Sequence, residues 1–537
     1  MKYSNKLLIK LLVTSALLGT FTSCSVEDGV DGLNGQQGEQ GEQGPPGEDG
    51  TDYEAEPTIF SSKSATEPLI SITPQFDFVK AYSLMTTNDA PLGDNNFQLS
   101  GSADGAGFLK NESGDGYIYV VNCEDSYAVA RIFLDENLNP VSGDYLLDSG
   151  VADFARQCSG TMWEKEIHGG SKDIFLSASE DINFDVKGID PRVETPTPNA
   201  DFGLDALGEF EWENAVPLPQ GAYSGATVII GGDDDSSTET ALGQLSMYYS
   251  ENGDADFENG KIYVLKFKQI SDGANGIVDA AADTTYDESD LDYQTEYDVE
   301  FVELVDGAAL TKDELGMECL AVNASQFMRI EDVDYQKGSD ENGRNVYFAV
   351  TGRGPNNGVT INNWGTVYKL NLNETNPLEG KLTQIISGNV STADSIKGDG
   401  ELSVLQSPDN ICVTENFVYI QEDPNSDARG HAAYIYQSDL EGRSPQVVME
   451  AKFRQDLALK FSELHTSTGR IPQLRDIEYG SLTDISDKVG VPGTFILAVQ
   501  PHYWLDESFG GLDNGHVNSA FENLQASQLV ILQNLPQ

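Results

Sequence analysis

The sequence predicts an all-β chain and, within that class, a β-propeller with few helices. Three observations carry the prediction. First, short apolar or aromatic runs recur from about Thr58 to the end: AYSLMTT, YIYVVN, IFLSAS, GKIYVLKFK, RNVYFAVTG, GTVYKLNL, FVYIQ, HAAYIYQSD and TFILAVQ. Clusters of Gly, Asn, Asp and Pro separate them, as turns separate strands. Second, long helical periodicity is scarce; the best stretch lies near Ala451 to Leu464. A length of about 480 residues of short strands with no parallel-sheet pattern fits a propeller, commonly of 4–8 four-stranded blades. Six blades are expected, although no internal repeat is regular enough to count them.

The third observation is chemical. Four strand-like runs end in clusters of carboxylates: YIYVVNCED (Tyr117 to Asp125), IFLSASED (Ile174 to Asp181), VIIGGDDD (Val228 to Asp235) and FVYIQED (Phe417 to Asp423). Carboxylates at the ends of different strands converge only if the strands point at a common centre. The innermost strands of a propeller line a central channel and supply one. Converging anions repel unless cations neutralise them, and hard divalent cations prefer oxygen ligands. The bland alternative is that these acids are common in the chain and solvated at loop starts.

Composition narrows the setting. The chain has 31 basic and 88 acidic side chains, a formal charge of −57. With 39% hydrophobic and 22% charged residues it can bury a large core, which excludes a disordered acidic protein. A polyanion also excludes nucleic acid as a partner, because phosphate backbones demand Lys and Arg. An acidic surface suits a calcium-rich or salty exterior.

The N-terminus reads MKYSNKLLIKLLVTSALLGTFTSC, with Lys2, Lys6 and Lys10 around an apolar run too short for a confident membrane span. The FTSC ending resembles a bacterial lipobox, with Phe21 where Leu is usual; the resemblance implies lipidation of Cys24. The acidic stretch after it (Glu27, Asp28) resembles surface-export signals of Bacteroidota lipoproteins. From Gly29 to Gly50 a glycine falls at every third position, the collagen pattern. The triplets are few and their acidic residues lack basic partners, so an extended spacer is expected, with weak trimerisation the lesser outcome. The expected organisation is residues 1–23 as signal segment, 24–55 as tether and 56–537 as propeller, placed at the outer membrane or cell surface. Membrane contact is expected only through the lipid.

Four cysteines fall in the body: Cys123, Cys158, Cys319 and Cys412. Such wide spacing is no disulfide scaffold in a chain this long. Cys319 and Cys412 lie in apolar runs and are expected in the core, whereas Cys158 sits in a polar loop, RQCSGT.

Seven segments, in order, resemble the PhoX-type alkaline phosphatases, a secreted propeller family. YVVNCE resembles the family's Asn-His-Glu element, giving Glu124, with Cys123 in place of His. CSGTMWEKEIHGGSKDIFLSASED resembles its Cys-x-Gly loop and following strand, giving Cys158 and Glu180. LGEFEWENAVPLPQGAYSGATVIIGGDDD resembles a His-Glu element with a Gly-Asp-Asp turn, giving Glu213 and Asp234, with Trp212 where His is usual. FMRIEDVDY resembles an Arg-x-Glu element, giving Arg329 and Glu331. SPDNICVTENFVYIQEDPN resembles a strand pair ending in Glu422. GKIYVLKF resembles a recurring blade strand. IEYGSLTDIS and FILAVQPHYW resemble the last blade, giving Glu478, Gln500 and His502, with Ala498 where an acid often stands.

The resemblance implies a calcium and iron cluster held by Glu124, Cys158, Glu180, Glu213, Asp234, Glu331, Glu422 and Glu478, with the thiolate of Cys158 on iron. It implies that Arg329 clamps phosphoryl oxygens and that the substrates are small phosphate esters, hydrolysed as monoesters. Those residue types suit that chemistry: carboxylate oxygens match calcium and ferric iron, a thiolate stabilises oxidised iron, and a guanidinium grips phosphate as a fork. His168, His431 and His502 are expected to pack or hydrogen-bond, and Asp409 and Asn410 to shape a turn. Two other readings stay open: a metal-dependent phosphodiesterase or lactonase, and a non-catalytic, calcium-stabilised propeller for binding or adhesion.

Overall fold

Strands such as Tyr117–Cys123 and Phe495–Gln500 are apolar on both faces and buried almost throughout, because each sheet is sandwiched between two neighbours. In the computed structural model the described residues are 59–537 apart from 153, 181–184, 195–200, 236–240, 254, 275, 354–360, 390–395, 397 and 517–521. They belong to the unit Glu56–Gln537. The signal segment, Cys24 and the glycine-rich tether lie outside the described residues, as does Asp181. Among the described residues no helix is long and apolar enough to cross a membrane.

Six strands form a closed inner ring: Ala103–Lys110, Gly160–Trp163, Trp212–Pro217, Ile330–Tyr335, Pro408–Val413 and Glu478–Asp484. Each packs against the next and the last packs against the first. Every inner strand heads an antiparallel series running outward, for example Ala103–Lys110, Tyr117–Cys123, Ala128–Leu134 and Pro140–Leu147. The all-β propeller expected from the sequence is the fold observed. The ring is closed by the N-terminal part of the body: Lys80–Thr86 pairs with Gln528–Gln533 and completes the last sheet. Glu296–Glu303 pairs with Lys261–Phe267 on one side and Glu379–Ser387 on the other, welding the third and fourth series into one nine-stranded sheet.

The core is divided among the spaces between sheets. Leu109, Val120 and Phe175 fill the first; Trp163, Ile229 and Tyr248 the second; Val216, Phe348 and Leu370 the third. Val367, Ile411 and Ile420 fill the fourth, Tyr419, Phe495 and Val530 the fifth, and Phe108, Tyr119 and Ile531 the last. Cys123 and Ala498 belong to the last and Trp212 to the second. The three departures from the family pattern are thus apolar seam residues. Trp212 Nε1 donates to the Gly208 carbonyl at 2.8 Å, which fixes its ring away from the axis.

The longest helix among the described residues, Lys312–Ala321, begins at a capping box in which Thr311 and Glu314 bond reciprocally. Thr-Lys-Asp-Glu is a visible signal for it. The helix expected near Ala451 to Leu464 is reduced to Phe461–Leu464, and Ala451 ends the strand Gln446–Ala451.

Close approach of the first two inner strands depends on Gly105. A Cβ there would lie 1.9 Å from the Gly160 backbone nitrogen. The Gly105 N–H donates to the Cys158 carbonyl at 3.3 Å. We expect Gly105→Ala to cost about 1–3 kcal/mol, because backbone cannot yield as a flexible side chain does. Urea unfolding checks this; an unchanged midpoint would show that the approach is not rigid.

Candidate metal centre

One end of the inner ring carries a cluster of buried acids. In four of the inner strands the donor acid is the second residue or lies in its first turn of pairing: Asp104, Glu213, Glu331 and Asp409. At each of these the pairing with the next strand slips, between Ala103 and Ala106, Trp212 and Asn214, Ile330 and Val333, and Pro408 and Ile411. A slipped register frees a residue from the ladder and re-aims its side chain. Four bulges therefore turn four carboxylates toward the axis. Glu124 and Glu180 reach the same end from just beyond the second strands Tyr117–Cys123 and Ile174–Ser177.

Cys158 arrives on the segment ahead of Gly160–Trp163. Its backbone is pinned on three sides: its N–H donates to Ala178, and its carbonyl accepts from Gly105 N–H and from Asn122 Nδ2, the last at 2.6 Å. Asn122 is fully buried and is itself held by Ser177 Oγ at 3.0 Å.

Three overlapping donor groups result, each with its ligand atoms within 4.8 Å of one another: Glu124, Cys158 and Glu180; Asp104, Cys158 and Glu213; Glu213, Glu331 and Asp409. Cys158 and Glu213 are each shared by two groups. Six carboxylates and one thiol thus form a continuous chain of ligands.

The electrostatics show what this chain of donors lacks. Burial, then Asp332, pushes Asp104 up to about 8. Burial, then Asp125 and Glu180, holds Glu124 well above the ordinary carboxylate range. Burial followed by neighbouring acids does the same to Glu213 and Asp409, and burial raises Glu331 although Arg329 opposes it. Burial, then Glu180 and Glu213, pushes the Cys158 thiol up as well. Asp104 Oδ1 is buried and has no hydrogen-bond partner among the described residues. A set of buried oxygens short of positive charge, with one orphaned acceptor, fits hard cations. The single thiol adds affinity for a softer transition metal.

Arg329 lies beside these groups with a left-handed φ of 67°, uncommon for a residue with a Cβ. Glu288 fixes that turn by accepting the Met328 N–H at 3.0 Å. The guanidinium is gripped from both edges, Nε at 2.7 Å from Asp234 Oδ1 and Nη2 at 2.9 Å from Glu331 Oε1.

The structure thus brings together Glu124, Cys158, Glu180, Glu213 and Glu331 in the three donor groups, whereas Asp234, Glu422 and Glu478 belong to none of them. Asp234 is the ion-pair partner of Arg329, while its neighbours Asp233 and Asp235 are taken by Lys312 at 2.7 and 3.1 Å. Glu422 is fully buried but outside all three groups. Its carboxylate accepts from Gln406 N–H at 2.8 Å, Tyr434 N–H at 2.9 Å and Tyr436 Oη at 3.0 Å, so it ties loops together. Pairing of Pro408 with Glu422 leaves the bulged Asp409 to serve that sheet. Glu478 sits at the edge of the centre, bonded by Gln500 Nε2 and by His502 Nε2 at 3.0 Å; Gln500 also donates to Glu124 at 3.0 Å. Asp104 was missed by the sequence reading, and Asp409, taken for a turn former, is a group member. Their signal was an acid at the second position of an inner strand rather than at the exit of the next one.

A cavity of about 580 Å³ opens at the other end of the ring, lined by residues including Asp334, Tyr335, Lys337, Asp484 and Lys488. Its lysines are spent on local pairs, Lys337 with Asp334 and Lys488 with Glu164 at 2.8 Å. The donor chemistry is at the opposite mouth.

Fold and site together define a propeller whose inner ring carries a carboxylate- and thiol-lined centre. Its fold is similar to that of Pseudomonas fluorescens PhoX, solved in complex with vanadate, a transition state analogue: TM-score 0.55, 13% identity, 88% of this chain and 97% of that one covered. Two further solved structures match more distantly and carry no argument. They are the aldose sugar dehydrogenase of Streptomyces coelicolor (TM-score 0.30, 10% identity, 85% and 98% covered) and the GH62 α-L-arabinofuranosidase catalytic domain of Coprinopsis cinerea (TM-score 0.28, 8% identity, 71% and 97% covered). No protein-family model matches the chain, and no curated protein matches it.

Proposed function

We propose that this protein is an extracytoplasmic, metal-dependent hydrolase of phosphate monoesters. The observation that carries the reading is the run of three donor groups joined through Cys158 and Glu213. Support comes from the fold shared with a protein whose structure holds vanadate. Calcium and iron are the ions the donor set fits best: Glu213, Glu331 and Asp409 are an all-oxygen group suited to calcium, whereas the two groups containing Cys158 suit iron. When bound, such ions neutralise the carboxylates and polarise the phosphoryl group.

The chain's own residues do the rest. Gln500 and His502 orient Glu124 and Glu478 through the hydrogen bonds given above, which holds the carboxylates in place before substrate arrives. Asp234 and Glu331 occupy Nε and Nη2 of Arg329 and hold it charged and fixed at the edge of the centre, which leaves Nη1 to donate to a non-bridging oxygen. Charge neutralisation and positioning are what phosphoryl transfer requires of a protein. Cys158 argues against a purely structural calcium propeller, since calcium avoids sulfur. A lipid on Cys24 is the proposed tether to the cell surface.

The deciding experiment is p-nitrophenyl phosphate hydrolysis by the purified protein supplied with calcium and iron, before and after chelation. Turnover abolished by the chelator and restored by the metals is the expected result. Metals bound without turnover would overturn the phosphatase reading, and hydrolysis of a diester or lactone instead would redirect it.

A further inference from the structure

Arg156 stands two residues before Cys158, on the segment that delivers the thiol. Its Nη1 lies 2.5 Å from Glu180 Oε1 and its Nε 3.5 Å from Asp125 Oδ1. Asp125 is fixed in turn by Gln525 Nε2, which donates to it at 2.8 Å. The guanidinium is therefore set against the outer side of the first donor group by Glu180 and the anchored Asp125. Its side chain is 42% exposed, against 22% for Arg329. The two arginines come from different sheets, one ahead of the second inner strand and one ahead of the fourth. Glu180 lies within electrostatic reach of both and helps to hold both charged.

A phosphate monoester dianion spreads its charge over three non-bridging oxygens, and one arginine fork engages at most two. In a protein of charge −57, an approaching dianion also meets repulsion from every acid around the mouth. We propose that Arg156 is a second substrate-positioning residue, binding the phosphoryl group from the solvent side while Arg329 binds it from within. The proposal rests on the phosphatase reading and deepens it. A diester carries less charge and presents one oxygen fewer, so Arg156 favours monoesters over diesters. The rival role is structural: Arg156 neutralises Glu180 and Asp125 and merely keeps Glu180 oriented.

Arg156→Gln and Arg156→Lys separate the two roles in the full chain loaded with calcium and iron. The readouts are KM and kcat for p-nitrophenyl phosphate and bis(p-nitrophenyl) phosphate, the inhibition constant of inorganic phosphate, metal content, and the thermal shift caused by phosphate. For Arg156→Gln the expected result is a rise of ~10- to 100-fold in KM for the monoester and in the phosphate inhibition constant, the range of a lost charge-assisted hydrogen bond. The diester KM moves much less, metal content is unchanged, and Arg156→Lys recovers part of the loss. Unchanged constants, or a loss of metal in step with the loss of activity, would overturn the proposal. If Arg156→Gln does not fold, a phosphate constant unchanged in Arg156→Lys overturns it equally. Should the parent protein hydrolyse no ester yet show a phosphate thermal shift that depends on Arg156, the phosphatase reading falls, and with it the substrate role, while phosphate binding by Arg156 stands. A parent with neither hydrolysis nor shift overturns both.

Discussion

Removing bound cations with a chelator should destabilise this protein strongly at pH 8 and weakly at pH 5. The sign follows from the raised acids. Asp104 moves from an ordinary 3.8 to about 8, and Asp234, through burial, to about 6. Between the unfolded and folded values the folded chain holds more protons than the unfolded one, so stability falls as pH rises through that window and is flat above it. For the metal-free protein the window thus runs from 3.8 to about 8 for Asp104. Cations reverse the trend, because they bind the ionised donors and compete with protons for them. Each occupied site adds about 4 kcal/mol at a thousandfold excess over its Kd. Calorimetry with and without chelator at the two pH values measures the effect. Equal melting temperatures at pH 8 in both conditions would sink the idea that the centre holds cations.

The second large effect is expected at Glu213. It joins two donor groups and accepts the Ser159 N–H at 3.2 Å, beside the thiol. Glu213→Gln keeps the shape and removes one ligand charge. Residues that only orient ligands cost 10- to 100-fold when changed, so a shared ligand should cost at least ~100-fold in kcat/KM, with metal content falling in parallel. Glu422→Gln is the matched control. It removes a buried carboxylate that ties loops but belongs to no group, so stability falls while metal per folded molecule is retained. If the two variants lost metal alike, the division between ligand and structural acids drawn above would be wrong.

Much of this arrangement was readable before any coordinates, and the reasons are physical. Continuous apolar runs such as YIYVVN and FILAVQ mark strands buried on both faces, which a stack of sheets around an axis requires. The resemblance singled out Glu124, Cys158, Glu180, Glu213 and Glu331, all of which the fold assembles. It departs from the three groups where direction matters more than position. Glu422 ends a strand as Glu124 follows one, but its side chain turns to Tyr436 and to the amides of Gln406 and Tyr434 instead of the axis. Asp104 and Asp409 were passed over because a register slip, which one strand's sequence does not display, is what points them inward. Likewise, the three aspartates at 233–235 look equivalent in sequence until Lys312 and Arg329, distant along the chain, divide them.

The strand that closes the ring has a consequence for timing. Lys80–Thr86 waits for Gln528–Gln533, which are synthesised long after it. The donor groups draw on residues from Asp104 to Asp409, held in register only once the circle is complete. A nascent chain therefore offers scattered carboxylates with no more affinity for a cation than any acidic peptide. Any ion the centre binds is captured only after the ring closes, so its identity is set where folding ends rather than where synthesis begins.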